Sequence, residues 1–227
     1  MARYERALQE AKARIAAAAR AAGRDAGEVT LLAVSKTFPS DAIREAHADG
    51  QRWFGENYVQ EALAKRDQLP GVADLAWVLI GPLQSNKTAI AADVFQRIES
   101  IDRLKVAQRL SAARAHDRPP LEVLVQVNIS GEASKSGVQP AEAVALAAQV
   151  AALPRLAFRG FMGIAAPTHD IAAQRAQFAL LRRCRDEALR LGLRADMLSM
   201  GMSADLESAI AEGSTQVRLG TAIFGSR

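Results

Sequence analysis

Short β-forming runs alternate with amphipathic stretches along the whole chain, and this alternation constrains the fold more than any other feature. The strand-like runs span 30–35, 52–55, 76–80, 95–99, 121–128, 157–163, 196–199 and 215–219. Helical patterns occupy 40–49, 57–68, 85–92, 102–115, 140–152, 170–191 and 204–211. Strands joined through helices run parallel, because a parallel pair needs a long crossover. Eight such strands close naturally into a (β/α)8 barrel. A further segment over 2–22 carries Leu8, Ala11, Ile15 and Ala18 at helical spacing and predicts a helix ahead of the first strand. The fold class is therefore α/β, a single TIM barrel with an extra N-terminal helix, with 1–227 as one domain. A doubly wound open sheet is the alternative. It would carry a Gly-rich turn after its first strand, where this chain has Lys36-Thr37-Phe38-Pro39.

The remaining composition narrows the function classes. Lys and Arg exceed Asp and Glu by 29 to 25, but the cations are scattered among acids on amphipathic segments. No basic run is interleaved with aromatics, so the pattern points to a solvated surface and not to nucleic acid. Cys184 is the single cysteine, which excludes an intrachain disulfide and a thiolate metal site; its neighbours predict a buried small hydrophobe. His47, His116 and His169 have no partner spacing for a catalytic triad or a metal. No signal peptide or membrane-length apolar run is present, so a soluble, cytoplasmic protein is expected.

In α/β proteins ligands bind at the carboxyl ends of the strands. The first strand-like run there ends on Lys36, with Leu32 and Val34 on the same face. An amine held among apolar side chains loses solvation, its pKa falls, and it becomes able to form a Schiff base with a carbonyl compound. A salt-bridging lysine at a strand end is the plainer reading. After the seventh and eighth runs lie Ser199-Met200-Gly201-Met202-Ser203 and Gly220-Thr221-Ala222-Ile223-Phe224-Gly225. Small residues, hydroxyls and unpaired N–H groups in these two places make the recurrent phosphate site of barrels. Arg218, inside the last strand, needs a buried partner: a ring nitrogen of a bound heterocycle, or a carboxylate such as Asp196 or Glu207. Asn57 stands where it can meet a ring hydroxyl or cap a helix. Met162 can pack on a ring, although core packing suits it better. Lys135, in Ser134-Lys135-Ser136-Gly137, is a second amine near the mouth.

Together these segments resemble the pyridoxal phosphate homeostasis protein family. The likeness runs from about Val29 to Gly225 through Ala33-Val34-Ser35-Lys36, Phe54-Gly55-Glu56-Asn57-Tyr58-Val59-Gln60-Glu61, Ile80-Gly81-Pro82-Leu83-Gln84-Ser85-Asn86-Lys87, Gln126-Val127-Asn128-Ile129 with Ser134-Lys135-Ser136-Gly137, Leu198-Ser199-Met200-Gly201-Met202-Ser203 and Val217-Arg218-Leu219-Gly220-Thr221-Ala222-Ile223-Phe224-Gly225. The resemblance implies a barrel like the N-terminal domain of alanine racemase, with pyridoxal 5'-phosphate (PLP) on Lys36. It implies that Arg218 faces the pyridine nitrogen and that Asn57 lies beside the ring. It implies that Ser199, Ser203, Gly220 and Thr221 hold the phosphate, with Met200 and Gly201 in the same segment. The chain departs from the family at Val78 and at Glu99, where the family usually has histidines.

The resemblance implies a non-catalytic protein that buffers PLP or delivers it to PLP-dependent apoenzymes. A PLP-dependent amino-acid racemase is the alternative, and a Schiff-base aldolase on the same barrel a third reading. Racemisation needs a base on each face of the reacting carbon. Lys36 supplies one, and the second would be a tyrosine from another domain. The only tyrosines are Tyr4 and Tyr58, and the chain stops at Arg227. An arginine at the ring nitrogen also disfavours its protonation and weakens the electron sink. A monomer is expected.

Overall fold

A computed structural model describes residues 3–132 and 135–225. Eight parallel strands form a closed barrel in chain order: β1 Thr30–Val34, β2 Trp53–Glu56, β3 Ala76–Leu79, β4 Arg97–Ile101, β5 Leu121–Val127, β6 Leu156–Gly163, β7 Met197–Ser199 and β8 Gln216–Leu219. β1 pairs with β8 from Thr30↔Gln216 to Ala33↔Leu219, which closes the ring. The helices are α1 Glu5–Ala21, α2 Ser40–Ala48, α3 Val59–Asp67, α4 Thr88–Val94, α5 Leu104–Ala113, α6 Pro140–Ala151, α7 Ile171–Arg190, α8 Leu206–Ala211 and α9 Thr221–Phe224. The expected TIM barrel with an extra N-terminal helix is thus present. Among the described residues no helix is long and apolar enough to cross a membrane.

Strand parity builds two separate cores. Leu31, Ala33, Phe54, Trp77, Leu79, Ile98, Val123, Val125, Phe161, Leu198, Val217 and Leu219 face the helices and form one large apolar layer with them. The opposite parity fills the barrel. There Leu124, Met162 and Met197 make a small apolar cluster. The rest of that interior includes Arg97, Glu99, Ser199, Gln216 and Arg218, all buried. Met162 is therefore a packing residue.

Several boundaries shift for local reasons. Glu56 still accepts the Ile80 N–H as part of the β2–β3 ladder, so α3 starts at Val59 and Asn57 is left in the connection. The expected helix 85–92 divides into a 3-10 turn, Ser85–Lys87, and α4. The four-residue α9 and a 3-10 turn at Ala26–Glu28, closed by an Asp25 capping box, go beyond the expected pattern. α1 buries Leu8, Ala11, Ile15, Ala18 and Ala19, and it packs on α8 and α9.

Candidate functional site at the barrel mouth

A cavity of about 610 Å³ opens at the carboxyl ends of the strands. Lys36, Asn57, Ser203, Arg218, Gly220 and Thr221 all line it. These six come from four connections of the barrel and from β8, so closure of the sheet is what brings them together. Val34, Ile80, Pro82 and Ile164 supply the apolar wall, and Gln126, Lys135 and Ser136 the remaining polar rim. Ser134, noted in the same segment as Lys135, lies outside the described residues. A recess of about 150 Å³ elsewhere is lined by Arg66, Asp93 and Arg118, which are paired with one another and offer no nucleophile.

Lys36 is half-buried on a tight turn directly after β1. The turn is held from outside the barrel. Buried Lys65 of α3 donates to the Ser35 carbonyl at 2.9 Å, to Glu56 Oε1 at 2.7 Å and to Glu61 Oε1 at 2.8 Å. The Ser35 hydroxyl donates to Glu56 Oε1 at 2.6 Å, and the Thr37 N–H donates to Glu61 Oε1. Thr37 sits at φ +68°, a conformation a β-branched residue rarely adopts, so these contacts hold a strained turn in place. Burial pushes the Glu56 carboxyl above its usual range, against the opposing Lys65 charge.

Arg218 is buried, and that burial holds its guanidinium below the ordinary value. Its partner is neither Asp196 nor Glu207. Asp196 pairs with Arg159 and Arg194, and Glu207 with Arg14. Instead Arg218 Nη1 donates to the Ser199 carbonyl at 2.7 Å and to Ser199 Oγ at 2.8 Å. Nη2 donates to the Gly163 carbonyl at 2.8 Å. A guanidinium has five N–H donors, so the Nε–H and one Nη2 hydrogen are uncommitted among the described residues.

Ser199, Met200 and Gly201 stand beneath the cavity and do not line it. Ser199 Oγ donates to Glu99 Oε2 at 2.6 Å. The Met200 N–H is taken by the Gln216 carbonyl, and the Gly201 carbonyl accepts the Arg218 N–H. Gly201 has φ +98°, and a Cβ there would lie 2.6 Å from that of Ala209. The cavity-lining part of this segment therefore begins beyond Gly201, at Met202, Ser203 and Ala204. α1 braces it from behind: Arg14 donates to the Ser203 carbonyl at 2.9 Å and grips Glu207 with two bonds of 2.7 Å. On the β8 side, Gly220 packs close to β1, where a Cβ would lie 3.3 Å from the Val34 carbonyl oxygen. Gly81 is needed on the far wall, because a Cβ there would overlap the Asn57 carbonyl.

None of His47, His116 and His169 lines the cavity, and neither do Tyr4 and Tyr58. Cys184 is buried, as its neighbours predict. No cluster of three metal-ligating side chains occurs among the described residues. The signal that locates Ala204 and Ile164 as lining residues is their position one or more residues beyond a strand end, which the sequence pattern does not resolve to that precision.

Residues 7–227 match the family model of the alanine racemase N-terminal domain. A pyridoxal phosphate homeostasis protein of Pseudomonas aeruginosa is 57% identical over 220 residues, covering 97% of this chain and 94% of that protein. The protein of the same description from Escherichia coli K12 is 52% identical over 225 residues, covering 97% and 95%. Among solved structures, PipY of Synechococcus elongatus with PLP bound superposes with a TM-score of 0.80 at 41% identity, covering 87% of this chain and 93% of that one. An alanine racemase of Clostridium difficile shares the fold at a TM-score of 0.72 and 14% identity, and the chain spans 56% of it. The chain belongs to the alanine racemase N-terminal domain family and, within it, to the pyridoxal phosphate homeostasis proteins.

Proposed function

We propose that this protein binds PLP at the barrel mouth as a Schiff base on Lys36, and that it buffers or delivers the cofactor without turning over a substrate. The carrying observation is the donor set of one cavity. A primary amine and a guanidinium with uncommitted N–H groups share it with the Ser203 and Gly220–Thr221 connections. That set fits an aldehyde, a ring nitrogen and a phosphate on one small molecule. The naming of close relatives as homeostasis proteins and the PLP-bound PipY structure support the same reading.

When bound, PLP supplies an electrophilic aldehyde and a ring able to accept electron density. Lys36 would hold that aldehyde through its Nζ, and the clamped Ser35–Thr37 turn fixes where the amine stands. Arg218 would hold the ring nitrogen as a donor and, without a transferable proton at working pH, would leave it unprotonated. Ser203 and Thr221 would offer hydroxyls to the phosphate, with the backbone around Gly220, and Asn57 would stand beside the ring. Ser199, Met200 and Gly201 support this cup from below.

A racemase needs a second base facing Lys36 across the ring, and neither tyrosine of the chain lines the cavity. With the ring nitrogen kept unprotonated, carbanion chemistry is disfavoured as well. Exchange with PLP-dependent apoenzymes in the cytoplasm, from a monomeric carrier with an open mouth, is the function that fits these features.

The test is the visible spectrum of the purified protein loaded with PLP, before and after borohydride, followed by peptide mass mapping. A band that disappears on reduction, with pyridoxyl mass on the Lys36 peptide, is expected. Lys36→Ala should lose both. No band in the presence of added PLP would overturn the proposal, and turnover of an amino acid would replace carrier by enzyme.

A further inference from the structure

The barrel interior holds a polar chain that runs from its foot to the cavity. Arg97 Nη1 donates to Gln216 Oε1 at 2.9 Å. Gln216 Nε2 donates to Glu99 Oε1 at 2.6 Å and to Ser199 Oγ at 3.1 Å. Ser199 Oγ donates to Glu99 Oε2 at 2.6 Å and accepts from Arg218 Nη1 at 2.8 Å. All five side chains are buried.

The two arginines fix the direction of every bond between them. A guanidinium only donates. Arg97 therefore turns the Gln216 carbonyl oxygen toward itself, and the amide NH₂ must face Glu99 and Ser199. The Ser199 oxygen receives Arg218 and Gln216 on its two lone pairs, so its single proton has one destination, Glu99 Oε2. Both Glu99 oxygens accept, which is the arrangement a carboxylate takes. Glu99 also lies 3.9 Å from Arg97 Nη1, but Arg97 is held more closely by Glu122 at 2.6 Å, and Arg159, which also reaches Glu122, has Asp196 as its second carboxylate. The foot of the barrel is thus balanced without Glu99. No other carboxylate reaches Arg218 by a hydrogen bond or through one bridging hydroxyl among the described residues; Asp205, which accepts from the Met202 N–H, acts on it through space only.

We propose that Glu99 is the positioning residue of the ligand-facing Arg218, holding its guanidinium in place and balancing its charge through the Ser199 hydroxyl. This rests on the reading of the cavity as a PLP site. Glu99 touches no ligand. It decides the angle and strength of the donor that Arg218 offers the ring nitrogen, and so the time for which PLP stays bound. Glu99→Gln breaks the polarity of the chain. One end of the new amide presents N–H groups to a hydroxyl or an amide that is itself donating.

The experiment uses the full protein loaded with PLP labelled with nitrogen-15 in the ring. It reads the ring-nitrogen resonance and the rate of PLP release to an excess of a trapping apoenzyme. Glu99→Gln is expected to speed release about tenfold, as the weakening of one charge-assisted hydrogen bond would, and to shift the ring-nitrogen resonance. Ser199→Ala is expected to do the same. The double variant should release PLP no faster than either single one, because both changes cut the same path. Ser199→Thr, which keeps the hydroxyl, should restore the wild-type resonance. A purely structural role for Glu99 would lower thermal stability and leave the resonance unmoved. The proposal is overturned by a wild-type resonance and release rate in Glu99→Gln, or by single effects that multiply in the double variant. Should Glu99→Gln not fold, the Ser199→Ala and Ser199→Thr pair decides alone: identical resonances in the two would overturn it. Wild-type protein that takes up no PLP would instead sink the reading of the cavity itself.

Discussion

Lys65→Met removes the only cation of the clamp behind Lys36, and its cost follows from what is left. Glu56 is fully buried, and its Oε2 already has no hydrogen-bond partner. Without Lys65 its one remaining donor is the Ser35 hydroxyl. Breaking a buried ion pair from one side costs about 3–5 kcal/mol. For a domain of this size that lowers Tm by about 6–20 °C, at about 2–4 °C per kcal/mol. The loss has an outlet, since Glu56 can take up a proton. Burial already raises its pKa from 4.5, and the charge and hydrogen bond of Lys65 are the two largest opposing influences. Removing both raises it further. The folded pKa then lies well above the unfolded one, so the folded state binds the proton more tightly. Stability contributed by this group is fully present below the unfolded value and is lost as pH rises through the folded one. The deficit of Lys65→Met relative to wild type should thus be small near about pH 5 and large near about pH 8. Thermal melts followed by circular dichroism at the two pH values measure it. A deficit that is equal at both, or larger in acid, would refute the reasoning. A Glu56→Gln, Lys65→Met double variant should recover much of the loss at the higher pH.

Arg14→Ala should separate loop bracing from stability. The Arg14–Glu207 pair is exposed and is worth less than about 1 kcal/mol, so the melting curve should barely move. The Ser203 carbonyl loses its anchor, however, and PLP release measured by trapping should accelerate. Gly160→Ala places a Cβ on the Met197 carbonyl at φ +142° and should cost more than about 4 kcal/mol; soluble yield and Tm report it. Gly201→Ala, at φ +98° and against Ala209, should cost about 1–3 kcal/mol. It should also weaken inorganic phosphate as a competitor of PLP binding, because Met202 to Ala204 shift with it.

Periodicity made the barrel legible, since eight strand-like runs separated by helices leave few other topologies. The cavity members Lys36, Asn57, Ser203, Arg218, Gly220 and Thr221 were legible for the same reason: each lies at or just past a strand's carboxyl end, apart from Arg218 in β8. Ser199, Met200 and Gly201 look identical to them in sequence, because small and polar residues after a strand suit an anion site. What separates them is that the backbone bonding of the sheet continues through Met200 and Gly201. The end of a strand depends on what its neighbours offer, and no local pattern carries that information.

The partner of Arg218 was hidden for a different reason. Asp196 and Glu207 were sensible candidates as carboxylates, yet both are spent on other arginines. The actual route leads from β8 through Ser199 of β7 to Glu99 of β4, across the barrel and over a sequence separation of more than one hundred residues. Only the closed ring puts those parities face to face. A lining made wholly of Leu, Val and Ile would have filled the same space at less electrostatic risk, since a half-satisfied buried network costs more than an apolar core. If Arg218 serves the ligand as proposed, the upper interior carries charge because a guanidinium has to stand there. An arginine aimed at a ligand from inside a barrel needs an acceptor behind it, and the strands opposite are the place from which a carboxylate can reach.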